Sequence, residues 1–200
     1  MILYHGTSTE HLEAILRDGL QSRRATQRPS NWLGQIESKP GFVYLSDAYP
    51  VYYANNPALG HEKLNSHILI IKVNVDESDL YPDEDFIAWE MQRGGVDRPA
   101  KQLIAEIDPT DYQHHWQDSL QHNGTACTHV VAPERILDHR IIARTNFRLL
   151  MAIGGDAAPM PINYMFMGNF YRRCIEALFA EGEEAALQVA LTYWQLGEAS

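Results

Sequence analysis

The sequence predicts an α+β fold: a mixed core of short strands and helices through about residue 150, and a helical hairpin over residues 151–200 packed on it. Three observations lead there. β-rich runs recur at Phe42–Ser46, His67–Val75, Ala126–Val131 and His139–Arg144, the second with six aliphatic residues in nine. Residues 163–180 and 183–196 are rich in Ala, Leu, Met and Glu at helical period and meet at Gly182. Hydrophobic residues make up 45% and charged residues 21% of a 200-residue chain, ordinary usage for one domain with a sizeable core.

The elements follow in order. Ile2–Tyr4 is a short apolar run that stops at His5-Gly6-Thr7-Ser8, a strand end. Thr7 and Glu10 have capping-box spacing, Leu12, Ile15 and Leu16 repeat at helical period, and Gly19 closes a helix over about residues 9–18. Gln21–Gly41 has no period and reads as a long surface loop of the kind that carries binding groups. After the Phe42–Ser46 strand, Pro50 opens a short helix to about Asn55. Asp76–Asp85 is acidic and polar around Pro82, and Glu84–Arg93 is helical before Gly94-Gly95. Lys101–Ile107 fits either state, and Asp111–Gln121 is a helix stopped by Asn123-Gly124. Pro133 separates the last two strands. The hairpin reads as a cap over one sheet face.

Composition narrows the function classes. The net charge of −10 sets the whole-molecule field against nucleic acid and anionic membrane, so such a partner needs a local patch. Two groups qualify: Arg17, Arg23, Arg24 and Arg28, and Arg135, Arg140, Arg144 and Arg148; for each, solvated surface arginines are the plainer reading. No run is long and apolar enough to span a membrane and the N-terminus lacks a signal-peptide pattern, so a soluble cytoplasmic protein is expected. Cys127 and Cys174 make no disulfide framework. His114, His115, His122, His129 and His139 fit no closed zinc spacing, and His61-Glu62 lacks the second histidine of a metalloprotease helix, so no metal is expected. Phosphate-loop and nucleophile-elbow motifs are absent.

The densest chemical signal is Tyr4-His5-Gly6-Thr7-Ser8, where an imidazole, a glycine that admits close approach and two hydroxyls meet at a strand end. The second is Gly41-Phe42-Val43-Tyr44-Leu45-Ser46-Asp47, followed by a helix bearing Tyr52, Tyr53 and Ala54. These two runs, in this order and joined by a helix ending in Gly19-Leu20 and a variable loop, resemble the ADP-ribosyltransferase superfamily. The likeness is to its His-Tyr-Glu branch, which includes poly-ADP-ribose-polymerase-like and DNA-modifying toxin groups, and also to RNA 2′-phosphotransferases. It covers residues 2–54 well and the three later strands loosely.

The resemblance implies a split, mostly antiparallel sheet with NAD in its cleft and a residue-1–150 NAD-binding domain. It implies that His5 hydrogen-bonds the adenosine ribose, the Gly6 backbone holds the nicotinamide amide beside Thr7, Tyr44 stacks on the nicotinamide, and Ser46 and Tyr53 line that pocket. Arg23 or Arg24 would meet the pyrophosphate from the Gln21–Gly41 loop. The reaction implied is cleavage of the nicotinamide–ribose bond through a cation-like transition state and transfer of ADP-ribose to a protein or nucleic acid. One element departs from the pattern. Where the family carries a glutamate, Thr125-Ala126-Cys127-Thr128-His129-Val130-Val131 offers His129, or Thr128, and no carboxylate. A histidine can bind a ribose hydroxyl or accept a proton, which makes His129 the third candidate catalytic residue beside His5 and Tyr44. Glu84, Glu90 and Glu106 are acidic groups on neighbouring segments whose spacing does not aim them at the cleft. The alternatives are an RNA 2′-phosphotransferase-like NAD-dependent enzyme, whose N-terminal Arg-His pair is missing here, and a catalytically silent nucleotide-binding or interaction module.

Overall fold

A computed structural model describes residues 1–27, 38–55, 67–143 and 160–198. The expected Arg28, His61, Glu62, Arg144, Arg148 and Gly154-Gly155 features lie outside them. Within the described residues, six strands form one antiparallel sheet, in the order β5 (Tyr81–Pro82), β6 (Thr125–Thr128), β3 (Val43–Ser46), β1 (Ile2–Ser8), β4 (His67–Asn74), β8 (Ile136–Ala143). A second, two-stranded sheet pairs β2 (Leu20–Gln21) with β7 (Val130–Val131). The α+β class, the antiparallel sheet and the C-terminal helical pair are therefore as the sequence predicts.

Alternation sorts the residues onto two faces. Leu3, Val43, Leu45, Leu69, Ile71, Val73 and Ala126 bury one face beneath α1 (Leu12–Asp18) and α6 (Trp116–Asn123), with Ile15 and Leu120 in the same cluster. Tyr4, Ile68, Ile70 and Ile142 bury the other. Over that second face lie α3 (Pro50–Asn55) and the hairpin of α7 (Met160–Ala180) and α8 (Glu183–Glu198), which contribute Val51, Ala54, Phe170, Cys174, Ile175, Leu178, Phe179, Ala186 and Ala190. Gly182 turns the hairpin at φ +103°, a left-handed conformation that favours glycine. Arg140 fastens α7 to the edge strand β8: its guanidinium donates to the Leu178 and Phe179 carbonyls and pairs with Asp138. The Phe179 carbonyl is one of the acceptors a helix C-terminus leaves without an intrahelical donor, and the Leu178 carbonyl also accepts the Gly182 N–H at 3.1 Å.

Several elements differ from expectation, each for a physical reason. β1 runs on to Ser8, because Gly6, Thr7 and Ser8 pair with Ile70, Leu69 and Ile68, so Thr7 is a strand residue and the Thr7–Glu10 capping box does not form. The expected Gln21–Gly41 loop carries the short helix α2 (Arg23–Thr26), capped by the Ser22 side chain. Ala100–Glu106 is helical (α5). Pro109–His115 winds as 3₁₀ turns ahead of α6. Tyr81–Pro82 is an edge strand, the place in a sheet where a proline costs no ladder bond. The expected single strand Ala126–Val131 is two strands in different sheets, broken at His129. Among the described residues no helix is long and apolar enough to cross a membrane, no group of His, Cys, Asp and Glu can hold a metal ion, and both cysteines are free and buried.

Candidate functional site

The two motif-bearing strands, β1 and β3, meet at the centre of the sheet and then part. β1 pairs with β4 over seven residues, Ile2–Ser8, but with β3 only through Tyr4 and Ser46. Beyond that pair His5–Ser8 of β1 and Val43–Tyr44 of β3 share no ladder pair. His5 spans to β3 there: Nδ1 lies 2.9 Å from the Tyr44 carbonyl oxygen. A carbonyl only accepts, so Nδ1 carries the hydrogen and Nε2 of the neutral ring is the acceptor. Burial lowers the His5 pKa below the usual histidine range, and the bond to Tyr44 offsets only part of that. The half-buried imidazole is thus neutral at physiological pH, with one tautomer selected.

Register assigns the side chains to faces. His5 stands opposite Ile71 on the α1–α6 face, whereas Tyr44 stands opposite Cys127, and Ser46 opposite Tyr4, on the hairpin face. His5 therefore reaches the main chain of Tyr44 rather than its ring. The Tyr44 hydroxyl donates to both carboxylate oxygens of Glu84, at 2.7 Å each, and accepts the Lys39 N–H at 2.8 Å. Burial first, then the charges of Glu84 and Asp83, push the Tyr44 pKa well above its ordinary value, so this phenol keeps its proton.

The remaining expected site residues divide. Gly6 faces α3 so closely that a β-carbon there would sit 1.6 Å from the Pro50 carbonyl oxygen. Thr7 is buried in the sheet. The Ser46 hydroxyl donates to the Gly124 carbonyl and accepts the N–H groups of Ala48 and Tyr49, so its bonding capacity goes to the turn into α3. Tyr53 reaches over β6 to Thr125, Oη to Oγ1 at 2.7 Å. Arg24 is exposed, its guanidinium against Gly41, while Arg23 donates to the Ser38 carbonyl. His129 is exposed too, and its Nδ1 donates to the Gly41 carbonyl at 3.2 Å while its ring stacks on Phe42, centroids 4.6 Å apart, and leans on Tyr81. Arg24 and His129 thus both meet Gly41, in the turn that leads into β3, while His5 meets Tyr44 within β3.

Of the second arginine group, Arg135 pairs with Asp76 and Arg140 with Asp138 and the hairpin, which gives both ordinary structural partners. Sequence reasoning left Glu84 unplaced. It is 2% exposed at the first position of α4 (Glu84–Arg93), between Asp83, which is 6% exposed, and Asp85. Burial raises the pKa of all three, and repulsion from its two neighbours adds to the upward push on Asp83. The signal in the sequence is three consecutive acids at a helix start, a pattern that ordinarily marks a solvated first turn.

Ser46 does not fit as a direct ligand group, since its hydroxyl is fully engaged. No protein-family model matches the chain, and no curated protein matches it. Among solved structures it is similar to the chain named EcPltA, with 14% identity over 73% of this chain and 79% of that one and a TM-score of 0.42.

Proposed function

We propose that this chain binds NAD where β1 and β3 part and transfers ADP-ribose from it to a macromolecular acceptor, protein or nucleic acid. The observation that carries the reading is the His5–Tyr44 junction. The strands bearing the His-Gly-Thr and Tyr-Leu-Ser runs separate straight after one residue pair, and the imidazole spans to the Tyr44 carbonyl with its Nε2 left as an acceptor. His5 and the Tyr44 ring sit on opposite faces of the sheet, so in this reading the ligand reaches both at the edge where β1 and β3 part.

In this reading His5 Nε2 accepts from a ribose hydroxyl, the Tyr44 ring supports the nicotinamide, and Arg24 meets a phosphate with its guanidinium fork. Tyr53 walls the nicotinamide end from α3. When bound, NAD supplies the transferred group and the nicotinamide that leaves. In this reading exposed His129, steadied by Phe42 and Gly41, meets a hydroxyl or a proton of the incoming acceptor. The second reading, a nucleotide-binding module without turnover, is favoured by one observation: the residue at the expected glutamate position is a histidine whose Nδ1 is committed to a carbonyl.

The test is nicotinamide release and label transfer from radiolabelled NAD, in lysate and with purified nucleic acid. Wild type is compared with His5→Ala, Tyr44→Ala and His129→Ala, each checked for folding by circular dichroism. We expect label on a macromolecule, reduced about a hundredfold or more in the His5 and Tyr44 variants. Binding without turnover selects the silent module, and neither binding nor turnover rejects both readings.

A further inference from the structure

The buried contact between Glu84 and Tyr44 is unlike anything the motifs anticipate. Glu84 is 2% exposed, yet among the described residues no cation pairs with it. Its carboxylate is satisfied by two groups of the site instead. The Tyr44 hydroxyl donates to both oxygens, and the Lys39 N–H reaches Oε1 at 3.3 Å while also bonding the Tyr44 hydroxyl at 2.8 Å. Phenol, carboxylate and main-chain amide thus close a three-membered ring of hydrogen bonds. Lys39 adds a further anchor, its Nζ donating to the Ala105 carbonyl of α5 at 2.8 Å.

A buried carboxylate without a cation costs solvation, and serving only as a packing residue would not offset that cost as well as an apolar side chain does. What the arrangement supplies is orientation. A tyrosine on a strand has two free torsions, and an acceptor fixed at the hydroxyl holds the ring at its far end as the backbone holds it at the near one. The acceptor itself is fixed, because Glu84 starts α4 and its neighbour Asp83 caps that helix while bonding Asn123 and Ser119.

We propose that Glu84 is a positioning residue that sets the angle of the Tyr44 ring for its ligand and ties the segment entering β3, at Lys39, to the same point; this rests on the reading that Tyr44 supports the nicotinamide of NAD. Glu84 acts through Tyr44 and does not itself touch the reacting atoms.

The experiment is a double-mutant cycle on NAD affinity, by calorimetric titration of the full chain with NAD, using Glu84→Ala, Glu84→Gln, Tyr44→Phe and Glu84→Ala/Tyr44→Phe. Thermal unfolding is recorded for each. Glu84→Ala is expected to weaken NAD about tenfold, the loss of one hydrogen bond to a charged group. Glu84→Gln keeps an acceptor for the hydroxyl and restores affinity to within about threefold. Tyr44→Phe already lacks the bond, so adding Glu84→Ala to it changes affinity little, although each variant shifts the melting temperature by its own amount. Independent, additive losses, or an unchanged affinity in Glu84→Ala, overturn the positioning role while leaving NAD binding intact. A wild-type protein that binds no NAD overturns both, and that outcome is separate because it appears before any substitution is made. If Glu84→Ala does not fold, Glu84→Gln against Tyr44→Phe carries the test: equal weakening in both overturns the proposal.

Discussion

A β-carbon on Gly6 would lie 1.6 Å from the Pro50 carbonyl oxygen, 2.6 Å from the Pro50 carbonyl carbon and 3.0 Å from the Ala54 nitrogen. All three are backbone, so no rotamer change relieves the clash and α3 must move off the sheet. Gly41 gives the contrast: its nearest neighbours are the guanidinium atoms of Arg24 at 3.5–3.7 Å, the end of a flexible side chain. Gly6→Ala is therefore expected to cost about 1–3 kcal/mol or more, and Gly41→Ala under about 0.5 kcal/mol, in urea unfolding. Equal costs would refute the close approach of α3. The same residue shows what the sequence could say about the site. His5-Gly6-Thr7 is legible as a place where something approaches a main chain, but the neighbour in the structure is a helix, and periodicity cannot tell a ligand from a helix. Tyr44 stands out in the sequence by its run. Glu84 does not, because what brings it to Tyr44 is the packing of α4, 40 positions along the chain, with no local pattern to announce it.

At the scale of elements, long apolar runs were readable and broken ones were not. β4, whose aliphatic run is broken only at Lys72, and the hairpin, with two helical periods about Gly182, match their sequence boundaries to within a few residues, whereas β8, interrupted by Asp138-His139-Arg140, begins at Ile136, three residues before the expected His139. β5 and β7, two residues each, carry too little pattern to stand out, and the change of sheet at His129 is a tertiary event written in no residue preference. The hairpin reaches the site side of the sheet through one ion pair. Arg172 donates to Asp47, just after β3, at 2.8 Å, and Tyr171 meets Tyr49 edge-on. Burial raises the Asp47 pKa, and Arg172 opposes that rise. Deleting the aromatic anchor and deleting the ion pair should therefore separate. Phe170→Ala, at 2% exposure in the hairpin–sheet cluster, is expected to cost about 3–5 kcal/mol at every pH. Arg172→Met leaves a half-buried carboxylate without its cation, so its cost should grow as Asp47 ionises. Parallel stability–pH curves for the two variants would show that Asp47 gains nothing from Arg172.

For the whole molecule, the net charge of −10 and a buried acidic trio point to stability that depends on pH from two sides. Asp83, Glu84 and Asp85 have folded pKa values above their unfolded ones, so the unfolded chain releases their protons first. Their contribution is fully present below the unfolded carboxylate pKa of about 4 and is lost as pH rises through the raised folded values. His5 has a folded pKa below its unfolded value, so its contribution is present above about pH 6.5 and is lost as pH falls through the lowered one. The two slopes oppose each other. The carboxylates whose pKa is lowered, Asp18 and Glu106 beside Arg17 and Arg98 and Asp108 bonded by Thr110, are exposed and add little to either. Glu84→Gln removes one member of the trio and also relieves Asp83, whose pKa its charge helps to raise. Its melting temperature should therefore fall less steeply between about pH 5 and pH 9 than that of the wild type, at constant ionic strength, while keeping the acid-side fall that His5 sets. A wild-type alkaline slope retained in Glu84→Gln would mean that the carboxylate is not held against its own ionisation, and that the contact with Tyr44 is made without cost to the fold.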